Sequence, residues 1–183
     1  MNRRWFSLPP AALLAVAIAS PVALAGPTNV PLKASLATQE TLIPGAFLPP
    51  GDVCYGSFAK GTTTVIGKAS YLGSVSGAAT DCINVLVPPG NPPSFAFTDG
   101  DLKLTAANGD QLNVTYHGTF TPVGIDPNDP QTVIYKITGA FEVKGGTGRF
   151  ANATGDGVLN GLEKIGVLPP FPAQLELTGT LSY

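Results

Sequence analysis

Apolar and polar residues alternate with a period of two along most of the chain after residue 60. Between Thr63 and Gly77 the odd positions are Thr, Val, Gly, Ala, Tyr, Gly, Val and Gly, whereas the even positions include Lys68 and three serines. This pattern predicts one long strand with one packed face and glycines where a sheet bends. Alternation also predicts strands near residues 95–106, 112–120, 133–143 and 175–183. No comparable stretch has a 3.6-residue apolar period, so we expect an all-β fold.

Turn signals separate the predicted strands. Asp99-Gly100 and Asn108-Gly109 favour positive φ and therefore predict tight hairpins. Prolines lie between the apolar runs, where no ladder donor is needed, at Pro44, Pro49, Pro50, Pro88, Pro89, Pro92, Pro93, Pro127, Pro130, Pro169, Pro170 and Pro172. The pattern predicts seven to nine strands with meander connections. Because an open sheet of that size leaves edges to protect, we expect a closed antiparallel barrel, with a two-sheet β-sandwich as the alternative.

The first 25 residues have the pattern of a secretory signal peptide. Arg3 and Arg4 precede an apolar, Ala-rich stretch that ends in Ala23-Leu24-Ala25. We expect cleavage after Ala25 and a secreted or periplasmic protein, with an N-terminal segment at 26–60 that contains a Pro-rich loop and the first strands, and a barrel domain at 61–183. Cys54 and Cys82 both lie in the exported part, where a pair of cysteines predicts a disulfide rather than a metal or redox site.

Composition excludes several classes of function. Without the signal peptide the chain has eight basic and twelve acidic residues, and no run of basic residues that would bind nucleic acid. His117 is the sole histidine, and there is no Gly-x-Ser-x-Gly elbow, so a Ser-His-Asp site is not expected. We assign no catalytic residue, no metal ligand and no cofactor from the sequence.

An outer-membrane barrel would fit the terminal aromatic Tyr183, but the exported part has no Trp and its loops are dense in proline, so we expect a protein that is not membrane-embedded.

The most distinctive segment is glycine-rich and runs from residue 145 to residue 155. It reads GGTGRFANATG, and it resembles the GGTGRFAGATG signature of bacterial secreted proteins related to allene oxide cyclases and plant dirigent proteins. Residues 67–73 and 105–112 are similar to an early strand and a central hairpin of that family, so the resemblance covers about residues 60–183. It implies an eight-stranded, calycin-like antiparallel barrel with an apolar lumen. Characterised relatives include cyclases and proteins that steer radical coupling, but most bacterial members have no known activity.

The motif also has a structural interpretation. Its glycines Gly145, Gly146, Gly148 and Gly155 permit backbone angles that other residues avoid. Residues 149–152 can form one helical turn, with Phe150 plugging one end of the barrel. Arg149 is the one arginine of the exported part. It either donates hydrogen bonds to carbonyl groups at this end of the barrel or faces a ligand.

A ligand site is expected in the lumen. The inward-facing candidates are Tyr71, Tyr116, Tyr135 and Phe141, whose hydroxyls or rings could orient a substrate, or which simply fill a small barrel. We expect a small apolar ligand. The alternatives are a cofactor-free isomerase, cyclase or dirigent-like protein, and an extracellular structural or adhesion module; a homo-oligomer is left open. A lumen cavity of about 300 Å³ or more favours the first two functions, whereas a filled lumen with an exposed apolar patch favours the third.

Overall fold

The structure is a computed structural model that describes residues 29–86 and 90–183. The predicted signal peptide at 1–25 lies outside the described residues. The described part of the chain forms eight strands, β1 Val30–Pro44, β2 Ala59–Ala69, β3 Gly73–Val85, β4 Phe95–Ala106, β5 Gln111–Asp126, β6 Asp129–Gly146, β7 Thr154–Ile165 and β8 Phe171–Leu181. Short 3-10 helices lie at Gly45–Phe47 and Gly148–Phe150.

The strands form a closed antiparallel barrel. Each strand pairs with its neighbour along the chain, and β1 pairs with β8 from Val30↔Leu181 to Glu40↔Phe171. This pairing leaves no free edge among the eight described strands, so the barrel predicted from the alternation is confirmed and the sandwich alternative is wrong. Because β1 closes the barrel, the segment before residue 61 supplies one of its walls.

The hydrophobic core fills the inside of the barrel. Successive side chains of a strand point to opposite faces, so one face of every strand is buried in the lumen and the other meets solvent. On β1 the buried positions are Leu32, Ala34, Leu36, Thr38 and Glu40, which alternate with more exposed ones. The inward face of β1 is therefore apolar at its beginning and becomes polar toward its end.

Two predictions about turns are wrong. The segment 63–77 is not one strand, because β2 ends at Ala69 and a turn at 70–72 leads back into β3, with positive φ at Tyr71 (67°) and Gly73 (73°). The apolar alternation stays in phase across this turn, so it cannot reveal the break. Asp99-Gly100 is not a hairpin but an irregularity inside β4, where Asp99 has a φ of 52° and the pairing register with β3 and β5 shifts. Some β-bulges and the type I′ and II′ hairpin turns both use positive φ, so the dipeptide does not distinguish a bulge from a hairpin.

The two ends of the barrel differ in their connections. One end, called here the short-turn end, has the connections 70–72, 107–110 and 147–153, and the predicted Asn108-Gly109 hairpin is confirmed there. The other end, called the loop end, has the connections 45–58, 86–94, 127–128 and 166–170.

A disulfide fixes the longest of these connections to the barrel wall. Cys54 and Cys82 are bonded, with 5.0 Å between their Cα atoms, which confirms the predicted disulfide. Leu48 packs beside them, and the Lys60 ammonium lies 2.8 Å from Asp52 Oδ2. The 45–58 loop is thereby held against β2 and β3.

Candidate functional site

Three carboxyl groups are buried together in the lumen. Glu40 of β1, Asp81 of β3 and Glu163 of β7 are 4%, 5% and 2% exposed, and all three border the same cavity. Each lies a few residues before its strand enters a connection at the loop end. The barrel therefore has a cluster of acidic groups near one end of an otherwise apolar interior, called here the carboxyl cluster.

Gly61 of β2 makes room for the cluster. It pairs directly with Asp81 of β3, and its strand lies between β1 and β3 in the sheet. A Cβ atom added to Gly61 would clash with both Asp81 Oδ1 and Glu40 Oε1. These two oxygens thus converge on the space that a side chain at residue 61 would occupy.

Tyr116 of β5 supplies the hydroxyl group of the site. Its Oη donates toward Asp81 Oδ2 at 3.2 Å and toward the Thr80 carbonyl oxygen at 3.3 Å. Gly100 of β4 lies opposite Tyr116, and a Cβ at Gly100 would clash with the tyrosine ring. The missing side chain at residue 100 therefore leaves the space that the ring occupies. The second carboxylate oxygen, Asp81 Oδ1, is buried, and no donor among the described residues reaches it with the geometry of a hydrogen bond.

Burial dominates the protonation of the cluster. It raises the pKa of Asp81 to about 6, although the hydrogen bond from Tyr116 and, to a smaller extent, the nearby Gly61 backbone N–H oppose the shift. It raises the pKa of Glu163 to about 7, with a hydrogen bond from Glu40 in opposition. The pKa of Glu40 is raised well above its usual range, first by burial and then by repulsion from Glu163 and Asp81. In the hydrogen bond between the two glutamates, Glu40 therefore donates the proton and Glu163 accepts it.

Tyr116 remains a hydrogen-bond donor over this whole range. Burial, followed by repulsion from Asp81 and Glu40, raises the pKa of its hydroxyl well above the usual value. The site thus holds a phenol and at least one carboxylic acid beside carboxylates that titrate close to neutral pH. Such a set can donate and accept protons.

The cavity beside the cluster is small. Its volume is about 60 Å³, which is room for on the order of four water molecules and lies below the roughly 300 Å³ at which ligand pockets begin. All eight strands contribute apolar wall residues, among them Leu36, Val65, Phe97, Phe120, Ile137 and Leu177. Among the described residues, no Lys, Arg or His lines it.

The predicted lumen residues are divided between the cavity and the barrel ends. Tyr116 and Phe141 line the cavity. Tyr135 is buried next to Phe95, with ring centroids 5.9 Å apart, and does not border the cavity. Tyr71 lies in the β2–β3 turn, where its ring is 5.8 Å from that of Tyr183, and it too is outside the cavity.

The glycine-rich motif forms the short-turn end. Phe150 has no exposed surface, and its ring centroid is 5.0 Å from that of Tyr183. The Arg149 guanidinium donates to the Tyr71 carbonyl oxygen, lies 3.4 Å from Asp110 Oδ2 and stands 4.9 Å from the Phe150 ring centroid. Arg149 therefore holds two turns together beside the plug, away from the carboxyl cluster.

Three of the motif glycines have backbone angles that favour glycine. The φ angles are 90° at Gly145, 58° at Gly148 and 156° at Gly155. At Gly146 and Gly155 a Cβ would also clash with the carbonyl oxygens of Gln111 and Thr180 on neighbouring strands. The motif thus lets the chain turn tightly and pass close to its neighbours where the barrel closes.

Apolar side chains surround the loop end. Exposed large apolar residues occur near the ends of β1, β3 and β5 and in the loops, and they form what is called here the rim: Ile43, Phe47, Val53, Tyr55, Phe58, Leu86, Val123, Ile125, Val167 and Leu168. The rim lies at the same end of the barrel as the carboxyl cluster.

Among the residues that the structure describes, no group of three or more His, Cys, Asp or Glu side chains is arranged to hold a metal ion.

Within residues 29–86 and 90–183, no helix is long and apolar enough to cross a membrane.

Sequence reasoning missed all three acidic residues of the cluster. The available signal is a charged residue at a position where the alternation of the strand calls for an apolar one, as at Glu40, which continues the series Leu32, Ala34, Leu36 and Thr38.

No protein-family model, curated protein or solved structure matches the chain.

Proposed function

We propose that the protein is an exported binding protein that holds a small molecule in the barrel lumen, with its polar end on the carboxyl cluster and Tyr116. The observation that carries this proposal is the position of Glu40, Asp81 and Glu163 beside an apolar cavity, with Asp81 Oδ1 unpartnered within the described chain. The basic start of the sequence and its Ala23-Leu24-Ala25 site support export, and the disulfide is compatible with an oxidising compartment.

The energetic cost of the cluster supports a role in function. Removing a carboxylate from water costs several kcal/mol unless a partner compensates, and apolar residues of similar size are often more stable in such places. The remaining inward positions of the barrel are mainly Leu, Val, Ile, Ala and Phe. Three acidic residues that replace apolar ones at a single cavity are typical of a binding or catalytic site.

The cavity sets limits on the ligand and its route. A volume of about 60 Å³ admits only a few non-hydrogen atoms unless the wall side chains move. Phe150 and Arg149 close the short-turn end. The ligand is therefore expected to enter at the loop end, where the rim offers apolar surface.

The test is a screen of small molecules against the exported protein by methyl NMR. Binding in the lumen shifts the methyl signals of wall residues such as Leu36, Val65 and Val114 and leaves exposed methyl groups such as those of Val158 unchanged. Glu163→Gln is expected to weaken binding, whereas Asp156→Asn, on the exposed face of the same strand, is not. Lumen signals that respond to no compound up to its solubility limit, together with no small molecule retained in native mass spectrometry, would overturn the proposal.

A second candidate is an interaction module that uses the rim. The small cavity and the concentration of exposed apolar side chains at the loop end favour it. For this function, Phe47→Ser combined with Leu168→Ser should abolish binding to a partner or a second copy in sedimentation experiments, while the lumen methyl signals stay the same. Unaltered sedimentation, with no loss of any association, would exclude this candidate.

The isomerase, cyclase or dirigent-like alternative stays a hypothesis. It is supported by the resemblance of residues 145–155 and by a phenol beside carboxyl groups with pKa values of about 6 and about 7. A neutral apolar substrate converted by the wild type, and not by Tyr116→Phe, would favour it over simple binding.

A further inference from the structure

We propose that the ligand of the lumen is a small organic cation, an alkylammonium group on a short apolar chain, whose nitrogen is bound by the carboxyl cluster. This inference rests on the proposed binding function and names the chemical class of the ligand.

The charge of the cavity is one-sided. Its lining residues include Glu40, Asp81 and Glu163, and within the described ranges it has no basic lining residue. The lysines next to the cluster in sequence are bound elsewhere, since Lys60 pairs with Asp52 and Lys164 pairs with Asp126 at 2.7 Å. Alternation places these lysines on the outside of the barrel. A ligand is thus the natural source of the missing positive charge.

The oxygens of the cluster suit an ammonium group. Asp81 Oδ1 and Glu40 Oε1 converge above Gly61. Asp81 Oδ1 is buried, and no donor among the described residues reaches it with the geometry of a hydrogen bond. An ammonium group has three donors and no acceptor, so it can satisfy several carboxylate oxygens together. A neutral hydroxyl has a single donor and would leave the second carboxylate uncompensated.

The size and walls of the cavity define the rest of the ligand. A volume of about 60 Å³ corresponds to on the order of four water-sized groups. The walls beyond the cluster are aliphatic and aromatic, including Leu36, Val114 and Phe141. A linear chain of about four carbons therefore matches the cavity, and the absence of a metal-binding group among the described side chains favours an organic cation over a metal ion.

Several groups around the site can gain or lose a proton, so binding of a cation is coupled to the release of protons. The acidic groups that face it are Glu40 on β1, Asp81 on β3, Tyr116 on β5 and Glu163 on β7. Asp101 on β4 lies on the exposed face of its strand. Tyr135 on β6 pairs with Glu163, while β2 and β8 contribute Thr63 and Ala173. The bound amine keeps its proton, and a carboxylic acid of the cluster releases one to solvent. Affinity should therefore rise with pH across the range in which the cluster ionises.

The experiment compares n-butylammonium with n-butanol, its neutral counterpart, by methyl NMR and calorimetry on the oxidised, signal-cleaved protein. At pH 8 we expect n-butylammonium to bind at least tenfold more tightly than n-butanol, with proton release that shows as a dependence of the heat on the buffer. At pH 5 the ratio should fall by several-fold. Asp81→Asn and Glu163→Gln should each lower the affinity for n-butylammonium by about tenfold, with Asp156→Asn as the unchanged control.

The outcomes separate the two proposals. If n-butanol shifts the lumen signals as strongly as n-butylammonium, the lumen binds small molecules but the inference of a cation is wrong. If neither compound shifts the lumen signals and no other small molecule does, lumen binding fails as well. Circular dichroism identifies a variant that does not fold. In that case the pH dependence of n-butylammonium binding to the wild-type protein tests the inference of a cation.

Discussion

The Tyr116 hydroxyl donates to Asp81 Oδ2 at 3.2 Å and connects β5 to β3 across the lumen side of β4. The other oxygen of Asp81 is buried without a partner among the described residues. The phenol therefore compensates part of the cost of burying this carboxylate, and it does so in the ionised state of Asp81.

Tyr116→Phe should raise the pKa of Asp81 above its value of about 6. The variant keeps the ring but removes a hydrogen bond to a charged acceptor, which is worth about 1.5–3 kcal/mol, so the increase should be roughly one pKa unit or more. Carboxyl carbon NMR titration of Asp81 measures the shift. Tyr55→Phe in the exposed part of the 45–58 loop is the matched control. An Asp81 pKa that stays the same would show that the 3.2 Å contact contributes nothing.

The barrel itself could be predicted from sequence because its signal is repeated on every strand. Alternation on β5, β6 and β8 and the turn at Asn108-Gly109 agree with one another, and the need to remove sheet edges favours closure. The disulfide was predictable because only two cysteines are present.

The carboxyl cluster could not be predicted in the same way, because it depends on register. Glu40 and Glu163 face each other only because β8 lies between β1 and β7, and Asp81 reaches Glu40 only across a glycine at residue 61. These relationships join residues far apart in the chain. Within each strand, a single acidic residue in the apolar phase is indistinguishable from a break in the pattern. The tyrosines and the arginine were predicted as ligand contacts from their residue types alone, but Tyr71 and Arg149 lie at the short-turn end of the barrel.

The stability of the protein should fall as the pH rises from about 4 to about 7. Folding raises the pKa of Asp81 from 3.8 to about 6 and that of Glu163 from 4.5 to about 7. The folded state therefore binds more protons than the unfolded state in this range, and the free energy of unfolding decreases with pH by on the order of 6 kcal/mol in total. Below about pH 4 the sign reverses, because the pKa values of Asp52 and Asp126 are lowered by hydrogen bonds from Lys60 and Lys164. Urea unfolding at pH 4.5, 6 and 8 measures the slope.

Glu163→Gln serves as the check on this pH dependence. It should increase the free energy of unfolding at pH 8 relative to wild type and have little effect at pH 4.5, where Glu163 is protonated in the folded state. Asp156→Asn on the exposed face of β7 should leave the slope unchanged. A wild-type stability that is constant or increases between pH 5 and pH 7.5 contradicts the prediction.

Gly61→Ala should destabilise the protein by about 1–3 kcal/mol, because the added methyl group overlaps Asp81 Oδ1 and Glu40 Oε1 in a packed interior. Separating these carboxyl groups should also weaken the electrostatic repulsion between them and change the pKa values of the cluster. Gly124→Ala is the control, since a Cβ at Gly124 meets no atom within 4 Å. Thermal unfolding of both variants measures the difference. Equal unfolding temperatures for Gly61→Ala and wild type would mean that residue 61 does not limit the approach of the two oxygens.

Phe150→Ala should cost about 3–5 kcal/mol of stability, the range found when a buried aromatic ring is removed and its space is not refilled. Phe150 has no exposed surface and lies against Tyr183 and the guanidinium of Arg149. Phe47→Ala removes the same ring from the rim, where it is 78% exposed, and should change stability by less than about 0.5 kcal/mol. Because the plug lies at the end opposite the carboxyl cluster, Phe150→Ala should leave the titration of Asp81 and Glu163 unaltered. Denaturant unfolding and carboxyl NMR on the same sample test both statements, and a small stability loss combined with shifted carboxyl titration would contradict the assignment of Phe150 as a plug remote from the cluster.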